Sequence, residues 1–450
     1  MSITVEVALL SGKSAKVEVS SNEDVATLKF RAQTALGVAK GRLVDSSGCI
    51  LDGCASIKHA GVQNGDSLTW CLKRVQVQAH GSGSAFAAIL GDGSTASWGL
   101  THSGGDSTRV QNQLKNVQQI QASRFAFAAI LEEGLVVTWG QASHGGDSSA
   151  VQHQLKTVRQ IQASGSAFAA ILGDGSVVTW GAAVFGGDST AVHEQLKTVQ
   201  QIQATWGAFA AILGDGSVVT WGADGSGGDS SAVQDQLKNV QQIQVSAHAF
   251  AAILADGSVV TWGYPRRSGD SRGARDKLKN VQHIQATWGA FAAILGDGSV
   301  VTWGADGSGG DSSAVRDQLK NDQLKNVQQI QATGKAFAAI LTDGCVVSWG
   351  CSRHGGDSRP VSDRLKNARQ IQASGSAFAA ILAGGSVVSW GHDSDGGDSS
   401  AVQDQLENVQ QIQASESAFA ALLGSGTVVT WGAAGMGGDS TAVREQLESL

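Results

Sequence analysis

Short apolar runs recur along most of the chain and are separated by glycine-rich turns. In one representative stretch every residue from Ala167 to Leu172 is apolar, and a second, Val-rich run ends at Trp180. Runs of five or six residues bounded by Gly and Asp are typical of β-strands. Alternate side chains of a strand point to opposite faces, so a run without polar residues predicts a strand covered on both sides. The pattern therefore predicts small sheets stacked face to face.

This pattern repeats with a nearly fixed period. A Trp-Gly pair closes the Val-rich run nine times, at intervals of 41 residues with a single interval of 46. The tryptophans of these pairs are Trp98, Trp139, Trp180, Trp221, Trp262, Trp303, Trp349, Trp390 and Trp431. The longer interval holds a duplicated segment, 317–321 and 322–326, which we expect to bulge into a loop. A unit of this size cannot bury its own faces, so successive units must pack on one another, and the expected fold is a mostly β propeller of nine repeats.

Two glycine-containing turns mark each unit. Asp174-Gly175 joins two apolar runs, and Asp-Gly predicts a tight hairpin because Gly accepts a positive φ. Gly-Gly-Asp-Ser follows each Trp-Gly pair with few changes, as at Asp188, and predicts an Asx turn that orders the loop. Calcium-binding β-rolls also repeat Gly and Asp, but with a nine-residue period. Single aspartates about 41 residues apart therefore do not predict a calcium site.

The sequence repeated in these units resembles that of a known repeat family. Ile-Gln-Ala, Phe-Ala-Ala-Ile-Leu and Asp-Gly-Ser-Val-Val-Thr-Trp-Gly recur over residues 75–450. This run resembles the repeat of the regulator-of-chromosome-condensation family of β-propellers. Units of that family are usually longer and carry Gly-Gln-Leu-Gly where this chain has Gly-Gly-Asp-Ser. A WD-type propeller, with a period of about 40–45 residues, ranks second because Trp-Asp is absent, and an open β-solenoid ranks third.

Residues 1–74 lack the repeat and predict a separate small α+β domain. Strand-like runs at 4–7 and 14–19 flank a Ser-Gly-Lys turn, and Asp24 is placed to cap a helix that Gly37 ends. Two further strands are expected, at Arg42–Val44 and Ser67–Leu72, with the apolar residues Ile50, Leu51 and Ile57 between them.

This ββαββ order resembles the ubiquitin-like (β-grasp) fold. The positions that match the family's apolar recognition patch are Val44, Thr69 and Cys71, of which only Val44 is clearly apolar. Ubiquitin-like modifiers end in an exposed Gly-Gly tail, whereas here residues 72–74 continue directly into the first repeat. The resemblance therefore implies a built-in interaction domain, and a purely structural role remains open beside it.

Composition and charge narrow the classes of partner. The chain has 59 Gly but only 2 Pro, so the glycines are turn residues rather than part of a collagen-like sequence. Residues 1–74 carry nine Lys/Arg and seven Asp/Glu, and the remainder carries 23 and 32, which gives +2 and −9. An acidic repeat region argues against nucleic acid as a partner. The basic residues from Arg266 to Arg275 are expected to form a solvated loop.

No residue pattern predicts chemistry. The five cysteines form no C-x-x-C pair, which predicts neither a disulfide framework nor a zinc site and favours a reducing compartment. The histidines keep no constant place in the repeat, and we expect them in solvent-exposed loops. No Gly-x-Ser-x-Gly nucleophile context is found. We expect no enzyme activity, no metal and no cofactor. The start of the chain lacks a signal-peptide pattern and no apolar run reaches 18 residues, so we expect an intracellular protein, cytoplasmic or nuclear, that does not bind membranes.

The leading hypothesis is a non-enzymatic protein–protein interaction scaffold, because many loops are carried on a rigid frame. Such propellers are found in HERC-type ubiquitin ligases, which implies a ubiquitin-pathway partner. The alternative is a guanine-nucleotide exchange factor for a small GTPase, the activity of the namesake propeller. Chromatin binding ranks third because the repeats lack a basic face. A plant member of the propeller family senses light, but the Gly-Trp-Arg-His motif of that member is absent around Trp206 and Trp288. The sequence therefore does not favour a light-sensing role.

Overall fold

Along the chain, one mixed sheet is followed by a repeated array of small antiparallel sheets. This computed structural model describes residues 2–9, 12–37, 41–49, 51–53, 55–71, 76–79, 85–89, 93–265, 269–313, 315, 326–425 and 427–440. Within those ranges lie one four-stranded sheet and nine three-stranded sheets. The fold is therefore mostly β, as predicted, and the repeated region is propeller-like.

The first region builds its own core. Its elements are β1 (Ser2–Leu9), β2 (Ser14–Ser20), α1 (Val25–Leu36), β3 (Arg42–Val44) and β4 (Ser67–Cys71). The sheet order is β2-β1-β4-β3, in which β1 and β4 are parallel and the other neighbours are antiparallel. The buried cluster that closes this sheet onto α1 draws all its members from residues 3–70.

The predicted ends of the helix are confirmed. The Asp24 carboxylate accepts a hydrogen bond from the Thr27 backbone N–H at 2.8 Å, and Gly37 ends α1 with φ +62°. The apolar residues Leu51 and Ile57 lie in the core. Ile50 and Leu72, predicted to belong to the same region, lie outside the described residues.

The nine three-stranded sheets, numbered 1 to 9 in chain order, each place three consecutive strands side by side. Their bounds are Gln76–Ala79, Ala85–Ile89 and Thr95–Gly99; Val117–Ala122, Ala126–Leu131 and Val136–Gly140; Val158–Ala163, Ala167–Leu172 and Val177–Gly181; Val199–Ala204, Ala208–Leu213 and Val218–Gly222; Val240–Val245, Ala249–Leu254 and Val259–Gly263; Val281–Ala286, Ala290–Leu295 and Val300–Gly304; Val327–Ala332, Ala336–Leu341 and Val346–Gly350; Ala368–Ala373, Ala377–Leu382 and Val387–Gly391; Val409–Ala414, Ala418–Leu423 and Val428–Gly432.

Short 3₁₀ helices fill the connections between sheets. Those directly after a third strand are Thr101–Ser103, Ala142–His144, Ala183–Phe185, Asp224–Ser226, Asp306–Ser308, Ser352–His354, Asp393–Asp395 and Ala434–Met436. Those further along are Thr108–Val110, Thr190–Gln195, Ser231–Gln236, Arg275–Lys277, Arg359–Val361 and Ser400–Gln405. The duplicated segment at 317–326, expected to form a loop, lies outside the described residues apart from Asn326.

Both predicted turns are confirmed. In the hairpin of sheet 3, Asp174 accepts hydrogen bonds from the backbone N–H and the hydroxyl of Ser176, at 2.9 and 2.7 Å, and Gly175 has φ +84°. In the loop after sheet 3, Asp188 accepts from the Thr190 backbone N–H at 2.9 Å. That hydrogen bond, with help from the Thr190 hydroxyl, lowers the pKa of Asp188 because it stabilises the ionised carboxylate. These aspartates shape turns.

Each sheet is buried on two faces, as the apolar runs predicted. We call the face toward the preceding sheet the front face and the face toward the following sheet the rear face. In sheet 3 the front face presents Phe168, Ala170 and Trp180 to sheet 2, while the rear face presents Ala169 and Ile171 to sheet 4. Eight such clusters join sheets 1 to 9 in succession.

The aromatic pair on the front face explains one repeated glycine. The rings of Phe168 and Trp180 stack with centroids 5.2 Å apart, and the Trp180 indole N–H donates to the Gly145 carbonyl of the preceding unit at 3.0 Å. Gly145 has φ +90°, and a Cβ at this position would lie 2.4 Å from the Phe168 ring. Only glycine fits there without displacing the ring.

Loss of one ring from an internal interface should be costly. Phe209 is fully buried on the front face of sheet 4, so we expect Phe209→Ala to lower the free energy of unfolding by about 3–5 kcal/mol. The matched control is Phe86→Ala. Phe86 occupies the same position in sheet 1 but is only half-buried, so we expect a loss of about 1–2 kcal/mol. Guanidinium unfolding followed by circular dichroism measures both changes, and equal losses would contradict the packing described here.

Candidate binding face

The two ends of each sheet differ in how much their residues vary along the array. At one end, which we call the hairpin end, the sequence between the second and third strands is Gly-Asp-Gly-Ser in four units, at 91–94, 173–176, 214–217 and 296–299. The opposite end carries the loop between the first two strands and the loop after the third strand. The hairpin sequence keeps Gly as its third residue in all nine units, whereas both loops of the opposite end differ between most units, so sequence variation is greater at the opposite end.

We call this opposite end the variable face. Its inner loops contribute 124–125, 165–166, 206–207, 247–248, 288–289, 334–335, 375–376 and 416–417. Its outer loops contribute 100–103, 141–144, 182–185, 223–226, 264–265, 305–308, 351–354, 392–395 and 433–436.

A constant hydroxyl ties the two variable loops together. In sheet 3 the Ser164 side chain accepts a hydrogen bond from the Ala167 backbone N–H at 3.1 Å and donates to the Phe185 carbonyl at 2.9 Å. The same bond from inner to outer loop, 2.8–2.9 Å long, is made by Ser123, Thr205, Thr287, Thr333, Ser374 and Ser415. The loops therefore vary in side chain while keeping one backbone arrangement.

Backbone hydrogen bonds also link the inner loops of successive units. The N–H of each central loop residue donates to the carbonyl of its equivalent in the next unit, at 2.7–3.2 Å. We call this row the axial ladder; it runs through Arg124, Gly165, Trp206, Ala247, Trp288, Gly334, Gly375 and Glu416. Because the bonds join equivalent atoms, the ladder fixes the spacing of eight units along their inner edge.

A cavity of about 450 Å³ lies inside this ladder. Seven consecutive units line it with equivalents of Ala163, Ser164 and Gly165, so its wall is made of backbone, methyl groups and hydroxyls. Trp206 and Trp288 are the large side chains at its edge, and they are 40% and 47% exposed. The cavity offers shape and two aromatic surfaces for binding rather than reactive groups.

Trp206 belongs to a cationic and aromatic cluster. The Arg124 guanidinium carbon lies 5.0 Å from the Phe125 ring centroid and 5.4 Å from that of Trp206, within cation–π range. The rings of Phe125 and His144 meet edge to face at 4.9 Å. Partial burial, and then the charge of Arg124, lower the pKa of His144. This cluster is therefore a positively charged, aromatic part of the variable face.

The later units give the same face an acidic part. Glu416 is half-buried, and burial followed by the nearby Asp395 raises its pKa. Asp395 also lies 3.8 Å from His392 Nδ1, and Asp393 is exposed beside it. Opposite charges thus occupy different units of one face.

Between these two parts, Trp288 lies against the following unit. Its ring meets that of His354 edge to face at 6.3 Å and covers the position where Gly334 would carry a Cβ. Burial, and then the charge of Lys335, lower the pKa of His354.

The predicted patch of the first region comes together on one side of its sheet. Val44 pairs with Thr69 across β3 and β4, and Cys71 follows two residues later on the same face. All three side chains are half-buried. Arg42, the cross-strand partner of Cys71, is buried with its guanidinium against Gly93 at the hairpin end of sheet 1. One edge of the patch therefore adjoins the array.

The expectation that the histidines lie in exposed loops is only partly correct. His102, His153, His193 and His392 are exposed, but His144, His248, His283 and His354 are half-buried, and His283 lies within the first strand of sheet 6. The cause is packing of these rings against neighbouring loops and strands, as the aromatic contacts of His144 and His354 show. His80 lies outside the described residues.

The basic stretch and the cysteines singled out in the sequence can also be located in the structure. In the described part of the basic stretch, Arg272 and Arg275 are exposed and Arg272 pairs with Asp270 at 2.6 Å; residues 266–268 lie outside it. Cys49, Cys71, Cys345 and Cys351 are free thiols. Within the described ranges no group of three His, Cys, Asp or Glu side chains could hold a metal ion, and no described helix is both long and apolar enough to cross a bilayer.

Comparison with known proteins gives distant structural likenesses. No protein-family model and no curated protein matches the chain. Among solved structures it is similar to Saccharomyces cerevisiae Prp20p, which was studied for binding to Gsp1p and histones: 18% identity, 55% of this chain and 74% of that chain covered, TM-score 0.33. It is also similar to the ectodomain of the Physcomitrella patens receptor kinase CR4 (16%, 61% and 72%, 0.35) and to the computationally designed Ika8 (13%, 70% and 96%, 0.30). At these TM-scores none of the three bears on what this chain binds.

The half-buried carboxyl group on the variable face should respond to pH. Because burial raises the pKa of Glu416, ionisation of this group opposes folding, and that penalty is absent below the pKa of the unfolded chain, about 4.3. We therefore expect Glu416→Gln to raise the melting temperature slightly at pH 7 and to leave it unchanged near pH 4. Glu133→Gln, at an exposed position of the hairpin end, should change neither. A stabilisation by Glu416→Gln that persists at pH 4 would exclude this cause.

Proposed function

We propose that the chain is a non-enzymatic scaffold for protein–protein interaction and that it holds its partner on the variable face. The observation that carries this proposal is the contrast within each unit. Packing fixes the strands and the hairpin end, whereas two loops with a constant backbone present side chains that differ between most units, the identical segments 203–233 and 285–315 being the main exception. A periodic frame thereby acquires a surface that is not strictly periodic, which can bind one partner in one register.

The chemistry of this face suits a protein partner. Exposed Trp and Arg side chains are the residues that most often dominate binding energy at protein interfaces, and Arg124, Trp206 and Trp288 supply them beside a shallow cavity. The acidic side chains around Glu416 lie in later units of the same face. Opposite charges at two places on one surface orient a partner of complementary charge.

The finer part of the proposal concerns the first region. We propose that residues 1–74 form a ubiquitin-like interaction domain and residues 75–450 an array of nine propeller-type repeats, similar in combination to HERC-type ubiquitin ligases. The mixed sheet order with parallel β1 and β4, and the grouping of Val44, Thr69 and Cys71, support it. A ubiquitin-pathway protein is accordingly the partner we would test first.

The alternative, nucleotide exchange on a small GTPase, needs a segment that reaches the nucleotide site. The five-residue insertion produced by the duplication within 317–326 is the candidate for such a segment in the sequence. Release of a fluorescent guanine nucleotide from a panel of small GTPases, catalysed by the full chain, would favour this alternative over the scaffold.

A pair of variants tests which end binds. We expect Trp206→Ala to weaken binding of a partner by about 10-fold or more, because an exposed indole at a cavity edge is a typical hot spot. Glu133→Ala, at the hairpin end, should leave binding unchanged. Partners are first identified by quantitative affinity capture with the full chain, and their affinities are then measured by calorimetry. Loss of binding in the hairpin-end variant alone would overturn the proposal.

A further inference from the structure

The first sheet of the array leaves its front face open. In sheet 1 the indole of Trp98 is 45% exposed and Phe86 is half-buried, whereas the equivalent tryptophans of sheets 2 to 9 are 1–5% exposed. The Phe86 and Trp98 rings already stack, with centroids 5.3 Å apart, as they do in the internal sheets. The face is thus arranged for packing, and no described sheet packs against it.

The last sheet leaves its rear face open. Ala420, Leu422 and Val428 of sheet 9 are half-buried, whereas the alanines equivalent to Ala420 in sheets 2 to 8 are fully buried. In internal sheets this face receives the stacked Phe and Trp of the following unit. In sheet 9 no described residue of a following unit covers it.

The two open faces are the two halves of one interface. Between sheets 8 and 9, the rear residues Ala379, Ile381 and Val387 pack on Phe419 and Trp431. On the rear face of sheet 9, Ala420, Leu422 and Val428 occupy the positions of Ala379, Ile381 and Val387. On the front face of sheet 1, Phe86 and Trp98 occupy the positions of Phe419 and Trp431, in the same strand register.

The substitutions between these sets are mild. Leu422 stands where internal sheets have Ile, and Ala96 stands where they have Val. Leu for Ile conserves volume and Ala for Val reduces it, so neither change introduces a clash. None of the residues named on either face carries a charge that packing would bury.

The described residues of the first region do not cover the front face of sheet 1. Its Arg42 touches Gly93 at the hairpin end, while Trp98 remains open to solvent. Among the described residues no apolar cluster joins sheet 1 to sheet 9. Within the described part of the chain both faces are therefore open at the same time, although repeat arrays generally need polar faces on their terminal units.

We propose that the occupant of these faces is a second copy of this chain. The front face of sheet 1 in one copy docks on the rear face of sheet 9 in another, and the contact reproduces the eight internal interfaces. Such a head-to-tail contact is heterologous, so each dimer still has one open face of each kind. Assembly then continues until a ring closes, or it extends as a filament.

The test is the mass of the full-length chain in solution as its concentration rises. We expect sedimentation velocity to show growth beyond the monomer for the wild type. Trp98→Glu blocks the front face and Leu422→Glu blocks the rear face, so each variant alone should remain monomeric. Val184→Glu is the matched control, because it places the same charge at a 71% exposed apolar position on an outer loop and should assemble like the wild type.

Mixing the two blocked variants gives the decisive result. Trp98→Glu retains an open rear face and Leu422→Glu an open front face, so an equimolar mixture should form a dimer and nothing larger. A mixture that stays monomeric would overturn the proposal. A wild type that stays monomeric at all concentrations would also overturn it, and this result is expected if the two faces pack on each other within one chain or bind a different protein. If a glutamate variant fails to fold, as circular dichroism would show, the milder Trp98→Ser and Leu422→Ser make the same comparison.

Discussion

The whole array depends on one constraint, which is that a three-stranded sheet with two apolar faces can bury neither face by itself. Each face needs a neighbouring sheet, and the residues of the unit are those that let two sheets approach. Ala169 and Ala170 keep the middle strand thin, Phe168 and Trp180 fill the space at one end of the sheet, and Gly145 leaves room for the Phe168 ring. Stability is therefore a sum over neighbouring pairs, as in other repeat proteins. The exposed apolar residues of sheets 1 and 9 follow from the same constraint, since no described sheet packs on those two faces.

The same constraint determines which positions of the unit can differ between repeats. Positions that contact a neighbouring sheet cannot vary without cost, so differences between units collect in the loops that face solvent. The hydroxyl of Ser164 and its equivalents holds these loops in one conformation, and the axial ladder sets their spacing. Arg124, Trp206, Trp288 and Glu416 are thus placed by hydrogen bonds that recur from unit to unit. In the proposed function, recognition depends on the side chains that differ between units.

Much of this arrangement can be read from the sequence because it is local. The Asp174-Gly175 hairpin, the Asp188 turn, the Asp24 cap and the two-sided burial of Ala167–Leu172 each depend on a few adjacent residues. Features that depend on how units are oriented could not be predicted. Segments 203–233 and 285–315 are identical, yet Trp206 meets Arg124 of an earlier unit while Trp288 meets His354 of a later one. Their neighbours differ, and the sequence of the segment holds no information about those neighbours. The half-buried histidines and the open terminal faces escaped prediction for the same reason.

The most direct test of the neighbour-only account is removal of residues 203–284. The identity of the two segments makes the junction seamless, because Ile202 would again be followed by Gln-Ala-Thr-Trp. The account predicts a seven-sheet array that folds with unchanged mean residue ellipticity and unfolds cooperatively in guanidinium. The denaturant dependence of its unfolding free energy should fall in proportion to the surface removed. Failure of the shortened chain to fold, or loss of its cooperative transition, would show that stability needs the complete set of sheets and would contradict the account.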